Sequence, residues 1–343
     1  MKIDKEYCMS SYLAFRFVPE KNVGWSEEYI PKYPEVEQEN IIPIENAQDI
    51  SNYLKTFTKQ NVNAGLLLSG GIDSAIIASY CPKGTKAYSI RFNSDGAIDE
   101  TIMAQKYADY YGLDLKIVEV YWEDYVNLTP ILIRNKKSGL HVVEVALYKA
   151  AATARKDGIN KLYCGNGADS NFGGMSKLLQ KDWDFEEFVQ RYTYIMPQSI
   201  LKNPGSIINT YEKFKLEDGK IDFISFLRNV HGIGIIQAFT NALSLAGCTA
   251  LEPYENMLLK RPLDLFRIRS GEPKYLLRRL FSKRYPNFEI PHKIPFVRPM
   301  DKWLKDYKIP ERKEFINNID NKVNLDGEQK WLIYCLSILL DNL

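Results

Sequence analysis

The stretch GLLLSGGIDSAIIASY, residues 65–80, decides how the chain is read. Three leucines run into Ser69-Gly70-Gly71, and an apolar run then restarts behind Asp73 and Ser74. Four to six apolar residues ending at a glycine pair predict a short buried strand, and IDSAIIASYC predicts a helix. Glycines at the junction admit positive φ and allow a ligand to approach the backbone closely. The helix start offers unpaired N–H groups and the positive end of a dipole, which together suit an anion. Ser69 and Ser74 add hydroxyls, whereas Asp73 would repel a bare phosphate, so its presence calls for magnesium between carboxylate and phosphates. No lysine stands where a GxxxxGK[ST] loop requires one. The competing reading is a tight turn that needs glycine and is capped by serine.

Working outward, the same alternation continues. KAYSIRF and DLKIVEV predict a second and a third strand, with the helix DETIMAQKYADYYG between them, closing at Gly112. VVEVALYKAAATARKDG predicts a long helix ending near Gly158, and NKLYCG a fourth strand. Strands alternating with amphipathic helices predict an α/β fold with a doubly wound parallel sheet, in which ligands bind at the carboxyl ends of the strands. Upstream, residues 1–60 read as an aromatic, proline-interrupted extension that ends in the helix NAQDISNYLKTFTKQN. Residues 61–175 read as the α/β core. From 176 to 343 strand signals nearly vanish and helices dominate.

Composition narrows the class. The chain has 343 residues, 45% hydrophobic and 26% charged, with a net charge of +2. That gives no reason to invoke nucleic acid. No apolar run approaches ~18 residues, so no membrane span is expected. The start lacks a signal-peptide pattern, and the five cysteines are scattered without CxxC spacing. A cytoplasmic protein without disulfides is therefore expected.

With these residues in view, LLLSGGIDS resembles the pyrophosphate loop of the N-type ATP pyrophosphatases, the PP-loop proteins of adenine nucleotide alpha hydrolase-like fold. KLYCGNGADSNFGGM, residues 161–175, resembles the second signature of asparagine and β-lactam synthetases: a strand, Gly-x-Gly-(Ser/Ala)-Asp, then a glycine pair. GEPKYLLRRLFSKRYPNFEIPHKIPFVRPMDKWL, residues 271–304, resembles the late family segment in which a KxLLR helix precedes a lysine-bearing loop.

The resemblance implies an ATP-dependent ligase that adenylates a substrate carboxylate, releases AMP and pyrophosphate, and forms an amide with ammonia or an amine. It implies ATP and magnesium as cofactors. Leu68, Ser69, Gly70, Gly71, Asp73, Ser74, Gly165 and Gly167 are implied to bind ATP and pyrophosphate, Asp73 and Asp169 to hold the metal, and Lys293 to stabilise the transition state. Arg91, at the end of the second strand, is a further nucleotide candidate, with a salt bridge as its alternative. Its helix neighbours Asp99 and Glu100 match an acidic helix start, which dipole compensation also explains. Of the three histidines, only His292, beside Lys293, is a phosphate-contact candidate.

The pattern also departs from the family. Asn166 stands where those synthetases carry glutamate or tyrosine, and a neutral amide is no general base near pH 7. In AGCTALEPYEN, residues 246–256, Leu251 replaces the family arginine and Asn256 the final aspartate. Glu252 is then the candidate base. Only about 60 residues precede the ATP loop, so glutamine hydrolysis within this chain is not expected. Ammonia or an amine from a separate glutaminase, a carrier protein or the substrate itself is expected instead. Two other readings compete: sulfur or nitrogen transfer onto an adenylated carbonyl, with Cys164 as the sulfur candidate, and a catalytically silent nucleotide-binding partner.

Overall fold

The computed structural model describes residues 2–34, 41–291 and 298–343. Five strands form one parallel sheet: β1 Gly65–Leu67, β2 Lys86–Phe92, β3 Asp114–Val120, β4 Lys161–Tyr163 and β5 Thr249–Leu251. Their spatial order is β3-β2-β1-β4-β5. The chain leaves β1 for β2 and β3 on one side, then returns to β4 and β5 on the other. The order therefore reverses between β1 and β4, which is where such sheets open a crevice at their carboxyl ends.

Alternation along the strands builds two cores. Leu66, Leu68, Ala87 and Tyr163 face helices Ala47–Gln60, Ile72–Ala78, Thr101–Tyr111 and Tyr275–Arg284. Tyr88, Leu162 and Cys164 face the opposite way, onto helices Glu144–Lys156 and Ile233–Leu245. There, the small residues Ala150, Ala151, Ala154, Ala238 and Ala242 let two helices lie close against the sheet.

Several elements depart from the sequence reading. β5 lies in the half where strand signals fade: one exposed and two half-buried residues that join the sheet by pairing with β4. A second parallel pair, Ile42–Ile44 with Met257–Leu259, ties the N-terminal segment to that same half. Helix Lys5–Phe15 is buried against Trp331 and Leu336 of helix Gly327–Leu340. No helix among the described residues is long and apolar enough to cross a membrane.

Candidate active site

The loop after β1 folds tightly on itself. The Ser69 N–H donates to Ser74 Oγ at 3.0 Å, the Gly71 N–H donates to Ser69 Oγ at 3.2 Å, and the two hydroxyls lie 3.0 Å apart. Helix Ile72–Ala78 begins on Gly71 with no side chain capping it, so its first N–H groups face the crevice mouth. Gly70 is packed closely: an added Cβ would come within 3.1 Å of the Glu100 carbonyl. Leu68 is a buried end of this strand segment, its N–H bonded to the Tyr88 carbonyl.

The loop after β4 runs alongside. Gly165 lies against Asp73, an added Cβ falling 3.3 Å from that residue's own. Gly167 takes φ +86 and lies against Glu255, where a Cβ would meet the carboxylate at 2.9 Å. Gly165 thus serves close approach of this loop to the loop after β1, and Gly167 its close approach to the segment that carries Glu255. Asp169 sits in the short helix Ala168–Phe172.

Asp73 and Asp169 converge on one cation. Lys274 Nζ stands 2.5 Å from Asp73 Oδ2 and 2.7 Å from Asp169 Oδ1. Burial alone would lower the lysine's pKa, but the two carboxylates reverse that and hold it raised. Lys274 adopts φ +53 at the start of helix Tyr275–Arg284, a conformation unfavourable for a residue with a Cβ. Gly174 makes room for the arrangement: a Cβ there would lie 1.8 Å from Asp169 Oδ1 and 2.2 Å from Lys274 Cε. Lys274 opens the KxLLR segment, where nothing in the sequence assigns it a role. A buried lysine whose partners lie 105 and 201 residues away leaves no local mark.

This donor set suits magnesium. Two carboxylates already share one positive charge, and magnesium is commonly held by one or two carboxylates completed by phosphate oxygens and water. Among the described residues no three His, Cys, Asp or Glu side chains gather as a protein-only cage would require. Asp73 and Asp169 are the residues that would hold it.

The third wall is the turn after β5. Glu255 N–H bonds to the Glu252 carbonyl, closing Glu252-Pro253-Tyr254-Glu255. The Tyr254 hydroxyl donates to the Asp73 carbonyl at 2.9 Å, and Asn171 Nδ2 donates to the Tyr254 carbonyl. Asn256 reaches the Tyr53 hydroxyl at 3.0 Å. Asn256 thus fastens this turn to helix Ala47–Gln60, and Tyr254 fastens it to the loop after β1.

Asn166 Nδ2 donates to Glu252 Oε1. Burial pushes the Glu252 carboxyl up to about 7, with the Asn166 bond working against that rise. Glu255 is likewise pushed up to about 7 by burial and by the neighbouring Glu252 charge, with Arg228 opposing. Glu255 was not singled out from sequence. Its signal is an acid in a segment otherwise eroded.

The remaining candidates separate from this centre. Arg91 is engaged by Asp99 and Glu119, each at 3.1 Å, and by the Thr101 hydroxyl, which is the salt-bridge alternative. Asp99 caps helix Thr101–Tyr111 by accepting the Thr101 N–H at 2.9 Å. Cys164 is fully buried, and burial holds its thiol well above its ordinary pKa. All five cysteines are free and buried. Lys293 and His292 lie outside the described residues.

Residues 50–215 match the family model for asparagine synthase. Asparagine synthetase [glutamine-hydrolyzing] 1 of Bacillus subtilis is 26% identical over 201 residues, covering 51% of this chain and 31% of that protein. Amidase chry2 of Gibberella zeae is 24% identical over 182 residues, covering 45% of this chain and 26% of that protein. The matched stretch thus spans a third or less of each relative's length.

Proposed function

We propose that this chain, whose residues 50–215 match the asparagine synthase family model, is an ATP-dependent carbon–nitrogen ligase that releases AMP and pyrophosphate. The observation that carries the reading is the convergence of Asp73, Asp169 and Lys274 directly beneath the Ser-Gly-Gly loop at the sheet's switch point.

The roles follow from position and charge. Ser69, Ser74 and the uncapped N–H groups that open helix Ile72–Ala78 cradle the β- and γ-phosphates. A substrate carboxylate oxygen bonds to the α-phosphorus while the bond to the β-phosphate oxygen breaks, leaving an acyl-adenylate and pyrophosphate. Lys274 neutralises charge that grows on the departing pyrophosphate, an effect strongest in a site that excludes water. Magnesium held by Asp73 and Asp169 supplies further neutralisation of the phosphates. Lys293 is assigned to the same developing charge on the strength of the family resemblance.

The second half-reaction belongs to the β5 turn. A nitrogen nucleophile attacks the acyl carbon, AMP leaves, and Glu252 accepts the proton that the nitrogen sheds. A base titrating near 7 is matched to neutral pH. Asn166 orients that carboxylate. Sulfur transfer through Cys164 lacks support, because a fully buried thiol held in its protonated form is neither nucleophile nor leaving group. A silent nucleotide-binding role would leave the buried, strained Lys274 without purpose.

The test supplies purified protein with ATP, magnesium, ammonium or simple amines, and a panel of amino and aliphatic acids. Pyrophosphate and AMP are measured together. A matching acid should yield the two in equal amounts, and Asp73→Asn should abolish both. If no acid elicits pyrophosphate and Asp73→Asn leaves ATP binding unaltered, the ligase reading fails.

A further inference from the structure

Helix Ile233–Leu245 is apolar on the side that meets the sheet, where Ala238 and Ala242 pack. Its polar side chains Gln237, Thr240, Asn241 and Ser244 recur at i, i+3, i+4 and i+7, so they form one stripe on the opposite side. An ordinary amphipathic helix turns such a stripe to solvent. Here Gln237 is 1% exposed and Asn241 6%. Residues 32–34 and the end of helix Trp122–Lys136 stand over the stripe, and between them lies a cavity of about 170 Å³. Lys32 and Ser244, both exposed, stand where it opens to solvent. Among the described residues it shares no lining side chain with the loops after β1 and β4 or with the turn after β5.

The amides of its wall are oriented one by one. The Glu144 carboxylate accepts from Lys136, from the His141 N–H and from Asn241 Nδ2. Asn241 therefore offers its Oδ1 to Asn135, whose Nδ2 donates to it at 2.8 Å. That leaves Asn135 Oδ1 as an acceptor. Across the cavity, Gln237 Nε2 donates to the Lys32 carbonyl at 2.6 Å, which fixes Oε1 as the other end of the amide. Among the described residues that buried oxygen has no partner. A buried acceptor left without a donor is costly and calls for a complement.

Two amide oxygens on residues that line one cavity define that complement. A carboxylate would be repelled by both. An ammonium would be buried without an anion, because the Glu144 carboxylate is already filled. A primary carboxamide completes the wall and stays neutral: its two N–H groups match the two acceptors, and its carbonyl accepts from the Thr240 hydroxyl. The size agrees, since a cavity of ~150 Å³ takes a ligand as large as benzene.

We propose that this cavity is a binding site for a small primary carboxamide, separate from the ATP site and formed by Gln237, Asn135 and Thr240. The site stands independently of the ligase reading. Ligand-observed NMR titration of the full chain compares propionamide with propionate and propylammonium, with and without saturating magnesium and α,β-methylene ATP. Propionamide should bind at least about tenfold more tightly than either ion, the scale of one buried hydrogen bond made or lost. The nucleotide should not displace it. Gln237→Met, which keeps an unbranched side chain but removes the oxygen, should weaken propionamide about tenfold. Thr240→Val, at a half-buried position, should weaken it about fivefold.

Thermal melting shows which variants fold, and Thr240→Val carries the test should Gln237→Met not fold. No binding of propionamide would mean that the cavity holds water alone and would overturn the proposal. Equal binding of the three probes, displacement by the nucleotide, or unchanged affinity in every folded variant would overturn it as well.

Discussion

Two lysine–carboxylate clusters in this molecule use the same chemistry for different ends. Lys136 and Glu144 meet at 2.6 Å with side chains 1% and 0% exposed. The Glu144 carboxylate also accepts the His141 N–H and Asn241 Nδ2, so its lone pairs are filled by three segments of chain. Lys274 instead bridges two carboxylates from separate loops, one of which, Asp169, is 45% exposed. Its backbone is left-handed, and a glycine must stand aside for it. The closed cluster fastens helices Trp122–Lys136, Glu144–Lys156 and Ile233–Leu245 together. The open one holds charge where a polyphosphate and its metal would sit. A fully buried cluster between helices marks structure, and a partly exposed cluster with a strained backbone at the strand ends marks chemistry.

Substitution breaks the comparison most visibly at the closed cluster. Glu144→Ala should cost about 3–5 kcal/mol of folding stability, since it strands a buried ammonium; urea denaturation reads this. At the open cluster the sign of the contrast reverses. Asp169→Asn should leave the denaturation midpoint nearly unmoved yet lower pyrophosphate release by about 10²–10³-fold, the scale of removing one preorganised charge partner.

Glu252 sharpens the contrast through pH. Its carboxyl, and that of Glu255, are raised to about 7 in the folded chain from an ordinary 4.5. The stability they permit is therefore full below about pH 4.5 and is lost as pH rises through about 7. Glu252→Gln removes one such penalty, so its stability relative to the parent chain should climb between pH 4.5 and 7.5. Its turnover should fall by about 10²-fold, the low end for loss of a general base. The smallest effect is expected at Asn166. Asn166→Ala should cost about 0.5–1.5 kcal/mol of acceptor positioning. Because the lost bond had held the Glu252 pKa down, the rising limb of the pH–rate profile should move to higher pH. An unmoved limb would detach Asn166 from the base.

Much of the fold was legible where side chains alternate over a full strand. KAYSIRF and DLKIVEV are β2 and β3 residue for residue. β5 was not, because one exposed and two half-buried residues carry no period and only pairing with β4 makes them a strand. Helix Trp122–Lys136 was likewise unassigned; it carries Pro130 in its interior. At the site, Asp73 and Asp169 stand out because each follows a strand and a glycine turn. Lys274 does not, since neither its burial nor its positive φ is written in neighbouring residues.

The central claim is that a carboxylate oxygen attacks the α-phosphorus of ATP. Once the acid panel yields a substrate, that acid labelled with ¹⁸O in its carboxylate tests the claim most directly, with AMP and phosphate products read by mass spectrometry. The account predicts one ¹⁸O in AMP and none in pyrophosphate or phosphate. Label appearing in inorganic phosphate, or AMP formed without label, would contradict it.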